Sequence, residues 1–80
     1  MNTMKTQTFE EKIMRIKMAV RYGVTIVLED YYSENSQTIG SRKVLPLKIK
    51  GDCVLCLDLD KGRAWRQFKF ERIQGNIYAL

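Results

Sequence analysis

The sequence predicts a mainly β domain with one N-terminal α-helix, its strands forming a small five-stranded antiparallel β-barrel. Three observations carry this. One apolar stripe of helical period lies ahead of Gly23, β-branched and aromatic segments of alternating polarity follow it, and turns at Gly51, Gly62 and Gly75 punctuate them. Eighty residues make one domain, which buries only roughly 60% of its unfolded surface. A meander of short strands in so small a domain curls into a barrel, because closure removes exposed strand edges. Residues 1–7 are read as a disordered N-terminus and 8–80 as the domain, with the helix over 9–22 and the barrel over 24–80.

The helix has its signals at both ends. Thr8 followed three residues later by Glu11 is a capping-box signature, and Gly23 sits at a plausible terminating position. Phe9, Ile13, Ile16 and Val20 fall at i, i+4, i+7 and i+11 and form the stripe, which must pack on the rest of the fold or on another copy. A single helix cannot make a helix-turn-helix, which argues against major-groove reading of duplex DNA in that manner.

Beyond Gly23, "VTIVLEDYY" reads as a strand and "ENSQTIGS" as a polar loop. In the next strand Leu45, Leu47 and Ile49 alternate with Pro46, Lys48 and Lys50 before a Gly51-Asp52 turn; Pro46 marks it as an edge or a bulge. In the third, Leu55, Leu57 and Leu59 alternate with Cys56, Asp58 and Asp60, giving a buried face and a wetter one. After the Lys61-Gly62 turn, Arg66, Phe68 and Phe70 share one face and Trp65, Gln67 and Lys69 the other. Gly75-Asn76 turns into a last short strand, "IYAL".

Ordinary apolar and charged content argues for a folded chain. The net charge of +5 lies entirely in the second half: residues 1–40 carry five positive and five negative side chains, residues 41–80 nine and four. A basic half fits a surface that meets phosphate or carboxylate, and equally a lysine-rich surface that keeps a small domain soluble. No stretch of about 18 apolar residues exists and "MNTMKTQT" lacks an apolar signal core, so a cytoplasmic protein without a membrane segment is expected.

Cys53 and Cys56 form a C-x-x-C, but there is no histidine and no third cysteine, and residues three apart on a strand face opposite ways. Two packing thiols, no metal and no cofactor are expected. Asp58 and Asp60 share a strand face; a divalent cation is one reading, and balancing Lys61 and Arg63 at the turn is the other. Without a nucleophile elbow or a glycine-rich phosphate loop no catalytic constellation is visible, and the chain is read as not an enzyme.

Residues 24–80 resemble the WYL domain family. The resemblance rests on Arg42-Lys43-Val44-Leu45-Pro46, then Leu55, then Arg66-Gln67-Phe68, then Glu71-Arg72-Ile73, in family order and spacing. At the signature position this chain has Cys53-Val54-Leu55, so only the leucine of Trp-Tyr-Leu is present. An aromatic contact to a ligand is then either absent or supplied by Tyr31, Tyr32 or Trp65. The resemblance implies a bacterial regulatory module of Sm-like (SH3-like) barrel fold that senses a ligand, in transcription regulation among other settings. It implies single-stranded nucleic acid or a nucleotide as ligand.

Arg42, Arg66 and Arg72 match the family's basic positions, and a guanidinium pairs bidentately with phosphate oxygens. The competing reading has them stitch strands through Asp58, Asp60 or Glu71. Phe68, Tyr32 and Trp65 are the candidates for stacking on bases, against the ordinary role of aromatics as core. The rival function is an interaction module, a homodimer or a partner complex formed through Phe9, Ile13, Ile16 and Val20.

Overall fold

The structure, a computed structural model, describes residues 6–80. Helix α1 spans Phe9–Tyr22. Thr8 Oγ1 accepts from the Glu11 backbone N–H (3.1 Å) while Glu11 Oε1 accepts from that of Thr8 (2.8 Å), and Gly23 ends the helix at φ 65°. Five strands follow: β1 Ile26–Ser33, β2 Thr38–Lys50, β3 Cys53–Asp58, β4 Ala64–Lys69 and β5 Ile77–Ala79. They form one antiparallel sheet in the order β4-β3-β2-β1-β5.

The sheet curls but does not close. β1 and β4 have two strands between them, so in a flat sheet they would lie roughly 14 Å apart. Instead the Tyr31 and Phe68 rings meet edge to face at 5.0 Å, and the Tyr31 hydroxyl accepts from the Lys69 backbone N–H at 2.9 Å. No ladder joins β4 to β5, because the chain between them turns through the 3-10 helix Phe70–Arg72 and β5 is only three residues long. The expected barrel is therefore an open, strongly curved sheet with a seam between β4 and the β1–β2 hairpin.

Several local expectations are corrected. β2 starts at Thr38, so the loop shrinks to residues 34–37: Ser33, Tyr32 and Tyr31 pair with Thr38, Ile39 and Gly40. β2 is central, and Pro46 is accommodated by a bulge between Pro46 and Lys48. Past that bulge the pleat of β2 changes phase, and the buried face of β3 is Val54, Cys56 and Asp58, with Leu55 and Leu57 half-buried on the other side and Leu59, also half-buried, already in the 3-10 helix Leu59–Lys61. Of the N-terminus read as disordered, residues 1–5 lie outside the described residues. Gln7 is fixed: its N–H donates to Asn76 Oδ1, its Nε2 to the Ile77 carbonyl, and its Oε1 accepts from the Ile77 N–H, each at 2.8 Å.

The core lies between α1 and the concave face. Ile16 and Ala19 are buried with Leu28, Val44, Val54, Phe68, Ile73 and Ile77, and Ile13 and Val20 pack against that cluster. The predicted stripe thus points at the chain's own sheet, except Phe9, which is 51% exposed. Lys12 takes the vacant place on the buried face, laying its stem along apolar surface while Nζ donates to the Ile73 carbonyl at 2.8 Å. Gly75 lies against Glu29, whose side-chain atoms would stand 2.7 to 2.8 Å from an added Cβ.

Both cysteines are free, on opposite faces of β3. Burial, with the Asp58 charge next in effect, pushes the Cys56 thiol up to about 12, so it is not a thiolate at neutral pH. Half-buried Cys53 is raised as well, first by burial and then by its hydrogen bond to Asp52. A disulfide-exchange reagent at pH about 8 should therefore titrate Cys53 slowly and Cys56 only after unfolding in urea; two fast thiols in the native protein would contradict this packing.

Candidate anion-binding site

The concave face changes character at one end. Val44, Val54 and Phe68 are apolar, but further along the same strand faces stand Arg42 on β2, two residues from Val44, Asp58 at the end of β3, four from Val54, and Arg66 on β4, two from Phe68. The reason is local. Asp58 ends β3 and caps the 3-10 helix Leu59–Lys61, its Oδ1 accepting from the Asp60 N–H at 3.0 Å, and Gly62 and Arg63, both at positive φ, turn the chain back into β4. Asp60 in turn accepts from the Lys43 N–H at 3.2 Å, so both aspartates have backbone duties at the turn.

Curvature brings this end of the sheet under the β1–β2 hairpin. The seam there encloses a polar cavity of about 110 Å³ lined by Arg42, Arg66, Arg72, Phe68 and Tyr31, with Ser33, Glu34, Asn35 and Gln67 completing the wall. Three arginines separated by up to thirty positions in the chain share one small volume. Arg72 arrives from the 3-10 helix that follows β4 and pairs with Glu34 at 2.6 Å. Arg66 Nε lies 3.7 Å from Asp58 Oδ2, beyond hydrogen-bond reach. Arg42 has no acidic partner among the described residues, and its buried Nε has no acceptor; Asp58 Oδ2 is likewise buried without a donor. A buried donor left unpaired costs on the order of 1–3 kcal/mol, so this end of the core is incompletely satisfied as it stands.

The predicted aromatics divide. Phe68 is 2% exposed and serves as both core and cavity floor. Tyr32 pairs with Ile39 in the hairpin and does not line the cavity. Trp65, 67% exposed, stands on the convex face in register with Leu57, itself paired to Leu45, so it is an accessible platform directed away from the arginines. The ion-pair reading of the arginines applies to Arg66 with Asp58, and Arg72 finds its acid in Glu34 rather than Glu71. Tyr31, named above as an alternative aromatic contact, does line the cavity; Ser33, Glu34, Asn35 and Gln67 are lining residues the sequence did not single out, and the turn-forming "SENSQ" is the one local signal of the first three.

A larger space, about 200 Å³, lies elsewhere: an apolar groove between the end of α1 and β5, lined by Met18, Tyr22, Val24, Ile77 and Tyr78 among others. It contains one charged residue, Arg15, and none of the family-matched positions. The chemistry is concentrated in the smaller cavity.

No family model matches the sequence, and no curated protein matches it. Among solved structures the fold is similar to a segment of Proteasome accessory factor B/C (PafBC) of Arthrobacter aurescens, at 18% identity and a TM-score of 0.72. The likeness covers 95% of this chain and 12% of that one, so this chain spans about an eighth of the length of that protein. At that identity the likeness shows a common fold. Among the described residues no helix is long and apolar enough to cross a membrane.

Proposed function

We propose that this WYL-like domain is a regulatory binding module, not an enzyme, and that it takes a phosphate of single-stranded nucleic acid or of a nucleotide into the arginine-lined cavity. The observation that carries the reading is the convergence of Arg42, Arg66 and Arg72 on one volume, with the buried Arg42 Nε lacking an acceptor. An anionic oxygen supplies the missing acceptor, and charge-assisted bonds from planar guanidiniums are the strong ones. At about 110 Å³ the cavity is well below the roughly 300 Å³ at which small-molecule sites begin, which suits a single anionic group with the rest of the ligand outside.

Fluorescence anisotropy of a labelled single-stranded oligonucleotide at several salt concentrations tests this. Neutralising one phosphate in the cavity gives a slope of log affinity against log salt near about −0.7, and Arg42→Ala or Arg66→Ala should weaken binding about 5- to 30-fold and flatten the slope toward zero. Wild-type binding that ignores both substitutions would move the ligand away from this cavity.

A second reading has its own observation. Met18, Tyr22, Val24 and Tyr78 are exposed and gather around the apolar groove beside α1, a surface suited to a protein partner or a second copy. It differs from the predicted stripe, whose Ile16 is fully buried in the chain's own core. Sedimentation equilibrium over a wide concentration range checks self-association; a monomer throughout removes the homodimer.

A further inference from the structure

The acids at the cavity decide which phosphate it can accept. Arg66 stands against Asp58 and Arg72 against Glu34, while Arg42 has no acid among the described residues. Three guanidiniums facing two carboxylates leave one positive charge uncompensated. The two acids differ in freedom. Asp58 is fully buried, with Oδ1 held by the Asp60 N–H, and cannot withdraw. Glu34 lies on the turn between β1 and β2 with 64% of its side chain exposed, so its pairing with Arg72 is the weak, solvent-screened kind.

We infer that the cavity is matched to a phosphodiester, the singly charged phosphate inside a strand, and that Glu34 discriminates against a terminal phosphomonoester by occupying Arg72 as a built-in carboxylate. The inference rests on the phosphate-binding reading above. A phosphodiester balances the residual charge. A phosphomonoester carries about −1.5 to −2 at pH 7 and leaves excess negative charge facing Glu34 and Asp58. Displacing Glu34 raises the net charge of the site by one and relieves that mismatch, so Glu34 sets selectivity by charge rather than by shape. Coulomb energy scales with the product of charges, so neutralising Glu34 improves a dianion about twice as much as a monoanion on a logarithmic scale.

The test is a competition against a labelled single strand by two ligands, TpT, which has one internal phosphodiester, and thymidine 5′-monophosphate. It uses wild type and Glu34→Gln, which keeps an acceptor for Arg72 but not the charge, at low salt and pH about 7.5. Glu34→Gln should gain about 3-fold for TpT and about 10-fold for the monophosphate, shifting their ratio about 3-fold. An unchanged ratio overturns the role of Glu34 while leaving the phosphate site standing, provided both ligands still weaken on Arg42→Ala. Binding of neither ligand to either protein removes the phosphate site and this inference together. Glu34 is exposed in a turn, so its replacement does not endanger the fold, and far-ultraviolet circular dichroism confirms that for the variant.

Discussion

Truncating Phe68 to alanine is expected to destabilise the fold by about 3–5 kcal/mol. The ring is 2% exposed, is paired in register with fully buried Val54, and meets Tyr31 edge to face at 5.0 Å. Removing it forfeits the transfer energy, the aromatic contact and the packing across the seam, and neighbouring residues close such a cavity only in part. An 80-residue domain has roughly 4–12 kcal/mol in all, so the variant should be near its unfolding midpoint in little or no urea, read by circular dichroism. A loss under about 1.5 kcal/mol would mean that the ring is not part of the core. Phe68→Leu separates core from ligand contact: it keeps most of the volume at a cost under about 1.5 kcal/mol, so a large loss of nucleic-acid affinity in that variant would reveal a stacking role.

The second large effect concerns α1. Ile16 is 0% exposed, in one cluster with Leu28, Val44 and Ile77, and Ile16→Ala should cost about 2–4 kcal/mol in the isolated protein. Phe9→Ala, from the same predicted stripe but half exposed, should change stability by less than about 1 kcal/mol. The pair, measured by urea denaturation, distinguishes a helix docked on its own sheet from one that waits for a partner. Equal small losses for both would favour the partner.

The helix was legible because its signals are local: Thr8, Glu11 and Gly23 act within a few residues of themselves, and all three take the roles expected of them. The turns before and after β3 were legible for the same reason, since the sequence marks them at Gly51-Asp52 and Lys61-Gly62, and Gly51 and Gly62 both take positive φ there. What the chain did not reveal was the facing of β3. Three alternating leucines are a stronger pattern than Val54, Cys56 and Asp58, yet hairpin register with Val44 and Phe68, together with the phase change after Pro46, turns the smaller side chains inward. The arginine trio was visible only through the family resemblance. Glu34 was not, and Tyr31 was visible only as one of three alternatives, because their place beside Arg72 and Phe68 depends on how far the sheet curls, a property summed over every strand pair.

The open seam has a mechanical consequence. A closed barrel resists widening with a full ladder of backbone bonds, whereas here β4 meets β1 through one hydrogen bond from the Lys69 N–H to the Tyr31 hydroxyl and one ring contact, and the segment after β4 is tied to the β1–β2 hairpin by the bridge Tyr31–Ile73, two backbone bonds from Gln74 and Gly75 to Asp30 and Glu29, and the Arg72–Glu34 pair. Those between β4 and β1 and at Arg72 involve side chains, and their release leaves the ladders within the sheet intact. Widening the cavity behind them therefore costs a few local contacts around Arg72 and the Phe70–Arg72 helix rather than a strand ladder.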